Sequence, residues 1–297
     1  MKSHFKEVIS NPSFIPALVW SKFSPFIKDD KFYLGVNYFL MRHKIMHWDN
    51  PMRFNEKLQL LKLNCKDSNR KNLVDKYEVK KIVRDLIGEQ YVIPTYGVWD
   101  RFEDIDFESL PNQFVLKCTH DSGGIVICKD KKSLNIKQAR KKLNHHLKKN
   151  YYSTFREYGY QYVSPRILAE KYMEDESGWQ LKDYKVFCFH GEPKFVEVDY
   201  DRYVGHKLNV YDLDWNFMDF YMTSPNDRTV DIPRPQKLNE LLDLCRILSK
   251  NEPFVRVDFY SINERLFFGE LTFYPGAGCI DFHPDKYDYI VGDMLQL

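Results

Sequence analysis

Apolar and polar positions alternate with period two near the end of the chain. Val255, Val257 and Phe259 alternate with Arg256, Asp258 and Tyr260, the pattern of a half-buried strand. A second β-prone run, Phe268 to Phe273, follows, and Asn-Glu-Arg at 263–265 between them reads as a hairpin loop. A hairpin centred on Glu264 sets Asp258 opposite Glu270, Val257 opposite Leu271 and Val255 opposite Phe273. Arg256, Asp258, Glu270 and Thr272 then share the other face. Like charges directly opposed, with Cβ atoms about 4.5–5.5 Å apart, are destabilising, so a positive group is expected between the acids. Two readings stand from these residues alone. One is a solvated sheet face with Arg256 as counterion. The other is a hard divalent cation, which takes one or two carboxylates together with phosphate oxygens.

Upstream, the pattern turns helical. In NPMRFNEKLQLLKL, Phe54, Leu58 and Leu61 recur at helical spacing, with Asn55 as the expected cap. DKYEVKKIVRDLIG reads as a helix from near Asp75 to Gly88, and YVIPTYGVW as strand. Residues 102–111 form an acidic, turn-rich link. Strand, loop and strand are expected over 112–128, then a helix over 134–149 with Ala139, Leu143 and Leu147 on one face and a basic opposite face. Strands dominate from Arg166 (RILAEKYM, KDYKVFCF, KFVEVDY, HKLNVYD), and a helix over 236–250 precedes the hairpin. These patterns give a mainly helical region over 1–111, with a short strand near 91–99, followed by a strand-rich remainder.

Composition narrows the function classes. The 297 residues are 43% hydrophobic and 16% aromatic, with a formal net charge of +2, which allows a substantial core and gives no nucleic-acid signal. Six cysteines are scattered without paired spacing, the usage of free thiols in a reducing compartment. Pro12, Pro16 and Pro25 interrupt the apolar stretch NPSFIPALVWSKFSPFI, and no run reaches the ~18 residues a membrane span needs. A cytoplasmic protein without a transmembrane segment is expected. Core packing is the first reading of that N-terminal stretch; rest on a partner or peripherally on a membrane is the second.

Phosphate-loop, HExxH, GxSxG and GxGxxG motifs are absent. His43 and His47 have the spacing of a helical metal pair but no third ligand nearby, and Asp212-Leu213-Asp214 matches a DxD acid pair in form. The order of the cationic features carries more. Lys117 lies in a strand before a loop with Gly123 and Gly124, and such a loop brings backbone amides to phosphate oxygens. An apolar strand ending in Glu170-Lys171 follows, then a strand with Lys185, a helix, and the acidic hairpin ending in PGAG.

This order resembles the ATP-grasp superfamily, and its wording is similar to the TupA-like branch associated with teichuronopeptide and other surface-polysaccharide synthesis. FNEKLQLLKL, VDKYEVKKIV, IGEQYVIPTYGVWDRFEDIDFESLPNQFVLKCTHDSGG, LKDYKVFCFHGEPKFVEVDYDR, YDLDWNFM and GELTFYPGAG carry the resemblance over roughly residues 50–285. It implies an α+β fold in which two α+β subdomains clamp ATP, a lid subdomain over 112–173 and a metal- and phosphate-binding subdomain over 174–297. Lys117 would contact the α/β-phosphates, and His120 to Gly124, with Ser122 and Gly123, would form a lid. Glu170 and Lys171 would lie by the adenine, the backbone around Tyr172 and Met173 would read its edge, and Glu174 or Glu176 would hold the ribose. Lys185 would be the second phosphate lysine, and Asp258 and Glu270 would bind Mg2+. Arg256 would face the reacting carboxylate, with Gly276 to Gly278 supplying backbone donors. The family usually has Asn two residues after the second acid; Thr272 stands there, which bears on a second metal ion. The implied activity is ADP-forming ligation of a small-molecule carboxylate, a nucleotide-linked uronic acid among the candidates, to an amine. A sugar or lipid kinase, a nucleotide-sugar glycosyltransferase and a non-catalytic nucleotide-binding scaffold are the alternatives.

Overall fold

The computed structural model describes residues 14–65, 67, 69–178, 181–201 and 205–297. Helices α1 (Phe14–Ser21), α2 (Asp30–Arg42), α3 (Phe54–Asn64), α4 (Arg70–Val74) and α5 (Glu78–Ile87) open the chain. The predicted cap of α3 is displaced. The helix starts at Phe54, and Glu56 accepts the backbone N–H groups of Met52 and Arg53, both at 3.0 Å. Asn55 is buried and used at long range: its Nδ2 donates to the Ile280 carbonyl at 2.9 Å and to Asp288 at 3.0 Å. A sequence window could not supply those partners. Asp75 does act at the start of α5, accepting the N–H groups of Tyr77 and Glu78.

The first sheet runs β1 (Thr95–Trp99), β4 (Ile167–Lys171), β2 (Phe114–Cys118) and β3 (Ile125–Cys128), antiparallel throughout. β1 thus joins the sheet formed by residues far downstream. Helix α6 (Ile136–Leu147) places Ala139 and Leu143 against Phe114, Leu116 and Ile167 in one buried cluster, as its apolar spacing predicts. The short α7 (Tyr151–Phe155) follows.

The second sheet has the order β11 (Arg265–Thr272), β10 (Phe254–Ile262), β5 (Asp183–Phe189), β6 (Glu192–Tyr200), β7 (Lys207–Tyr211) and β8 (Phe217–Met218). Helix α8 (Leu238–Ser249) buries Leu241, Cys245 and Leu248 in the cluster that holds Val186, Val196, Val255 and Val257. The small pair β9 (Tyr221–Met222) and β12 (Phe282–His283) and the helix α9 (Lys286–Asp293) complete the fold. The cysteines are free, and no helix among the described residues is long and apolar enough to cross a membrane.

Candidate functional site

The hairpin of β10 and β11 builds the acid pair by a route the sequence conceals. Its loop is a two-residue turn, Asn263-Glu264, pairing Ile262 with Arg265, and both turn residues have positive φ, 47° and 62°, as a type I′ turn requires. That register continues to Phe259–Phe268 and would set Asp258 against Gly269. A one-residue bulge at Gly269 then shifts the ladder, so Asp258 faces Glu270, Val257 faces Leu271 and Arg256 faces Thr272. The ladder ends there, without the expected Val255–Phe273 pair. A Cβ at position 269 would lie 3.1 Å from the Asp258 carbonyl oxygen, so a glycine fits the close approach.

Arg256 bridges the acids. Its Nε and Nη2 donate to the two Asp258 oxygens at 2.7 and 2.6 Å, and Nη2 also reaches Glu270 Oε1 at 3.3 Å and Thr272 Oγ1 at 3.1 Å. Thr272 Oγ1 donates to Glu270 Oε1 at 3.1 Å. Burial pushes Glu270 up, but Lys76, Arg256 and Lys185, with the Thr272 hydrogen bond, outweigh it and hold this carboxyl below its ordinary value.

The same row continues across the sheet. Lys185 is the cross-strand neighbour of Asp258 on one side and of Glu197 on the other. Its Nζ lies 3.0 Å from Glu197 and 2.5 Å from Asp199. Burial pulls Lys185 down, and these two acids raise it above its ordinary value. Neither acid was singled out in the sequence, where EVDYD reads as ordinary period-two strand.

The first sheet supplies the facing charges. Lys117 Nζ pairs with Glu170 at 2.6 Å, and Lys80 Nζ of α5 pairs with the other Glu170 oxygen at 2.6 Å. Burial lowers Lys117, and Glu170 first, then Glu270 and Asp183 of the second sheet, raise it above its ordinary value. The two sheets therefore bring Lys117 and the acid pair within electrostatic reach. Lys76 stands at the same junction: its Nζ donates to the Asp121 carbonyl of the glycine loop at 2.8 Å, and it is the largest favourable influence on Glu270. Lys76 and Lys80 lie within VDKYEVKK, where a helical charge pattern gave no reason to choose them.

In the glycine loop, Ser122 and Gly123 are exposed and His120 and Asp121 buried. Asp121 pairs with His146 of α6. Position 124 has no room for a side chain: a Cβ there would meet Asp121 Oδ1 at 2.7 Å. After β4, Lys171 is exposed and Tyr172 and Met173 are half-buried. The Tyr172 hydroxyl donates to Glu174 at 3.1 Å, and Glu176 accepts the Asn263 N–H of the hairpin turn at 3.5 Å. Gly276, Ala277 and Gly278 turn with φ of 58°, 54° and 68°. Their carbonyls face α3, where Gln59 Nε2 donates to Gly278 at 2.7 Å and Lys62 Nζ to Ala277 at 2.7 Å.

Two other sequence candidates resolve differently. His43 is the left-handed C-cap of α2, and His47 lies beyond the helix, paired with Glu56 at 2.7 Å; the two share no helical face. Asp212 accepts the N–H groups of Asp214 and Asn216 at 3.0 and 2.7 Å, as a turn aspartate does.

Two sheets with a lysine strand and glycine loop on one, and a lysine and an acid pair on the other, constitute the ATP-grasp fold. The chain belongs to the TupA-like ATP-grasp family, whose model matches residues 56–296. Among solved structures it is similar to D-alanine–D-alanine ligase from Helicobacter pylori (13% identity, 80% of this chain and 61% of that one, TM-score 0.40). It is also similar to D-alanine–D-alanine ligase from Bacillus anthracis complexed with ATP (15%, 82% and 72%, TM-score 0.45). A third is the ATP-grasp ligase PsnB complexed with minimal precursor, Mg and ADP (10%, 81% and 64%, TM-score 0.45). The chain thus spans under two thirds of the Helicobacter and PsnB chains. No curated protein matches.

Proposed function

We propose that the protein is a cytoplasmic, ADP-forming ligase that joins a carboxylate to an amine through an acyl phosphate. Its carboxylate substrate is a uronic acid of a nucleotide-linked or growing surface polysaccharide. The observation that carries the reading is the row Glu270–Asp258–Lys185 across β11, β10 and β5, with Lys117 and Lys76 within electrostatic reach of Glu270. Such a row matches a triphosphate, whose charge must be neutralised and whose terminal oxygens must be positioned. Lys117, Lys185 and Lys76 take the phosphate oxygens, and the loop His120–Gly124 covers them. The segment Glu170–Glu176 takes the nucleoside.

Asp258, Glu270 and Thr272 offer only oxygen donors, the set that magnesium accepts. Arg256 engages both oxygens of Asp258 and one of Glu270, and a carboxylate oxygen has further lone pairs. The residues therefore fit a magnesium ion, which when bound supplies positive charge to the phosphate oxygens. In the reaction, a substrate carboxylate oxygen attacks the γ-phosphorus and the bond to the β-phosphate oxygen breaks, releasing ADP. The amine then attacks the acyl carbon, loses a proton and expels phosphate, giving the amide. Arg256 and the turn Gly276–Gly278 orient the carboxylate.

The test incubates purified protein with magnesium-ATP and a panel of uronic-acid nucleotides and amines, with ADP and new amide followed by mass spectrometry. ADP and amide should appear together, and Asp258→Asn and Glu270→Gln should each abolish both while the protein remains folded. Unchanged turnover in both variants rejects the assignment of the acids. A phosphorylated product formed without any amine reassigns the enzyme as a kinase.

A further inference from the structure

Helix α2 is apolar on two sides. Tyr33, Leu34, Tyr38 and Met41 are buried on one. On the other, Phe32, Gly35, Val36 and Phe39 repeat at helical spacing and line an open groove of about 500 Å³ with Ile45 and Trp48. A helix apolar all round belongs in an interior, yet Phe32 and Phe39 are both more than half exposed. The patch extends onto α1: the Trp20 ring lies 6.2 Å from Phe32 and 6.4 Å from Phe23. Phe26, between the two helices in sequence, is 83% exposed, and Ile45 of the groove 73%. An apolar surface this continuous marks a contact site.

Charge selects the occupant. Lys22, Lys28 and Lys31 are exposed around the patch, and Lys31 Nζ stands 5.6 Å over the Trp48 ring. Asp30 pairs with Arg156 at 2.8 Å, and Asp29, which also lines the groove, caps α2 through the Phe32 N–H at 3.0 Å, leaving the three lysines in excess over one acid. Arg42 and Lys44 at the far end of α2 pair with Asp281 and Asp285, so Lys22, Lys28 and Lys31 set the charge of this face. We propose that this face of α1 and α2 docks on the surface of an anionic lipid bilayer. The rings enter the acyl boundary and the lysines meet headgroup phosphates. A second copy of the chain would present the same basic rim and be repelled. This inference is independent of the ligase reading.

The experiment is co-sedimentation of the full chain with vesicles of phosphatidylcholine alone or with phosphatidylglycerol added, at low and high salt. Binding should require phosphatidylglycerol and fall with salt. Lys22→Gln, Lys28→Gln and Lys31→Gln combined should weaken partitioning roughly a hundredfold, since each lysine near an anionic surface contributes about fivefold. Phe26→Ser with Ile45→Ser should also weaken it, with the thermal midpoint unchanged because both positions are on the surface. Protein left in the supernatant with anionic vesicles overturns the proposal, as does equal binding to both vesicle types. Concentration-dependent self-association abolished by Phe26→Ser with Ile45→Ser also overturns it and assigns the face to a second copy.

Discussion

Replacing Glu170 by Gln removes one carboxylate from between two lysines. Glu170 is 4% exposed, and its oxygens lie 2.6 Å from Lys80 Nζ and 2.6 Å from Lys117 Nζ. Burial pushes this carboxyl up; Lys117 and Lys80 outweigh burial and hold it at about 2, against an ordinary 4.5. That interval corresponds to about 3 kcal/mol of folding free energy at neutral pH. Breaking a buried ion pair by removing one partner costs about 3–5 kcal/mol, the same range reached from a different direction. Glu170→Gln should therefore lower the thermal midpoint by roughly 5–8 °C at neutral pH. The folded pKa lies below the unfolded one, so the contribution is complete above 4.5 and disappears as the pH falls through about 2. Urea melts of both proteins between about pH 5 and pH 2 should show the gap closing on acidification. Equal stability at neutral pH, or a gap that stays constant across that window, would refute the reasoning.

Gly269→Val should crowd the Asp258 carbonyl and disturb the bulge, costing about 1–3 kcal/mol in a urea melt and eliminating nucleotide turnover; wild-type turnover would mean that the bulge does not set the acid pair. Lys76→Ala should raise the KM for ATP about tenfold or more, the value of one lost charge-assisted hydrogen bond of about 1.5–3 kcal/mol. Because Lys76 is only half-buried, the melting curve should move little; an unaltered KM would remove Lys76 from the phosphate site.

The sequence made the hairpin legible because period-two patterning survives local irregularity: Asp258 and Glu270 face each other as expected. The reason for that pairing was misread. A three-residue loop and a two-residue turn followed by a one-residue bulge give the same register at the acids, and only backbone geometry separates them. That Lys117 and Lys185 stand in strands is readable from the pattern along the chain. The importance of Lys80 is not, because it comes from Glu170, 90 residues away in sequence. Glu170 itself is named from its place at the end of a strand; that two lysines hold its side chain, one of them the expected phosphate ligand, is not legible in the sequence. Asn55 likewise reads as a local cap and is used at long range.

The grip of α3 on the PGAG turn has a consequence for dissecting this chain. Asn55, Gln59 and Lys62 project from one helix onto residues 277–280, so α3 is scaffolding for the far end of the polypeptide. An excised fragment containing only the two sheets would present the Ala277 and Gly278 carbonyls to nothing, and the left-handed turn would lose its mould.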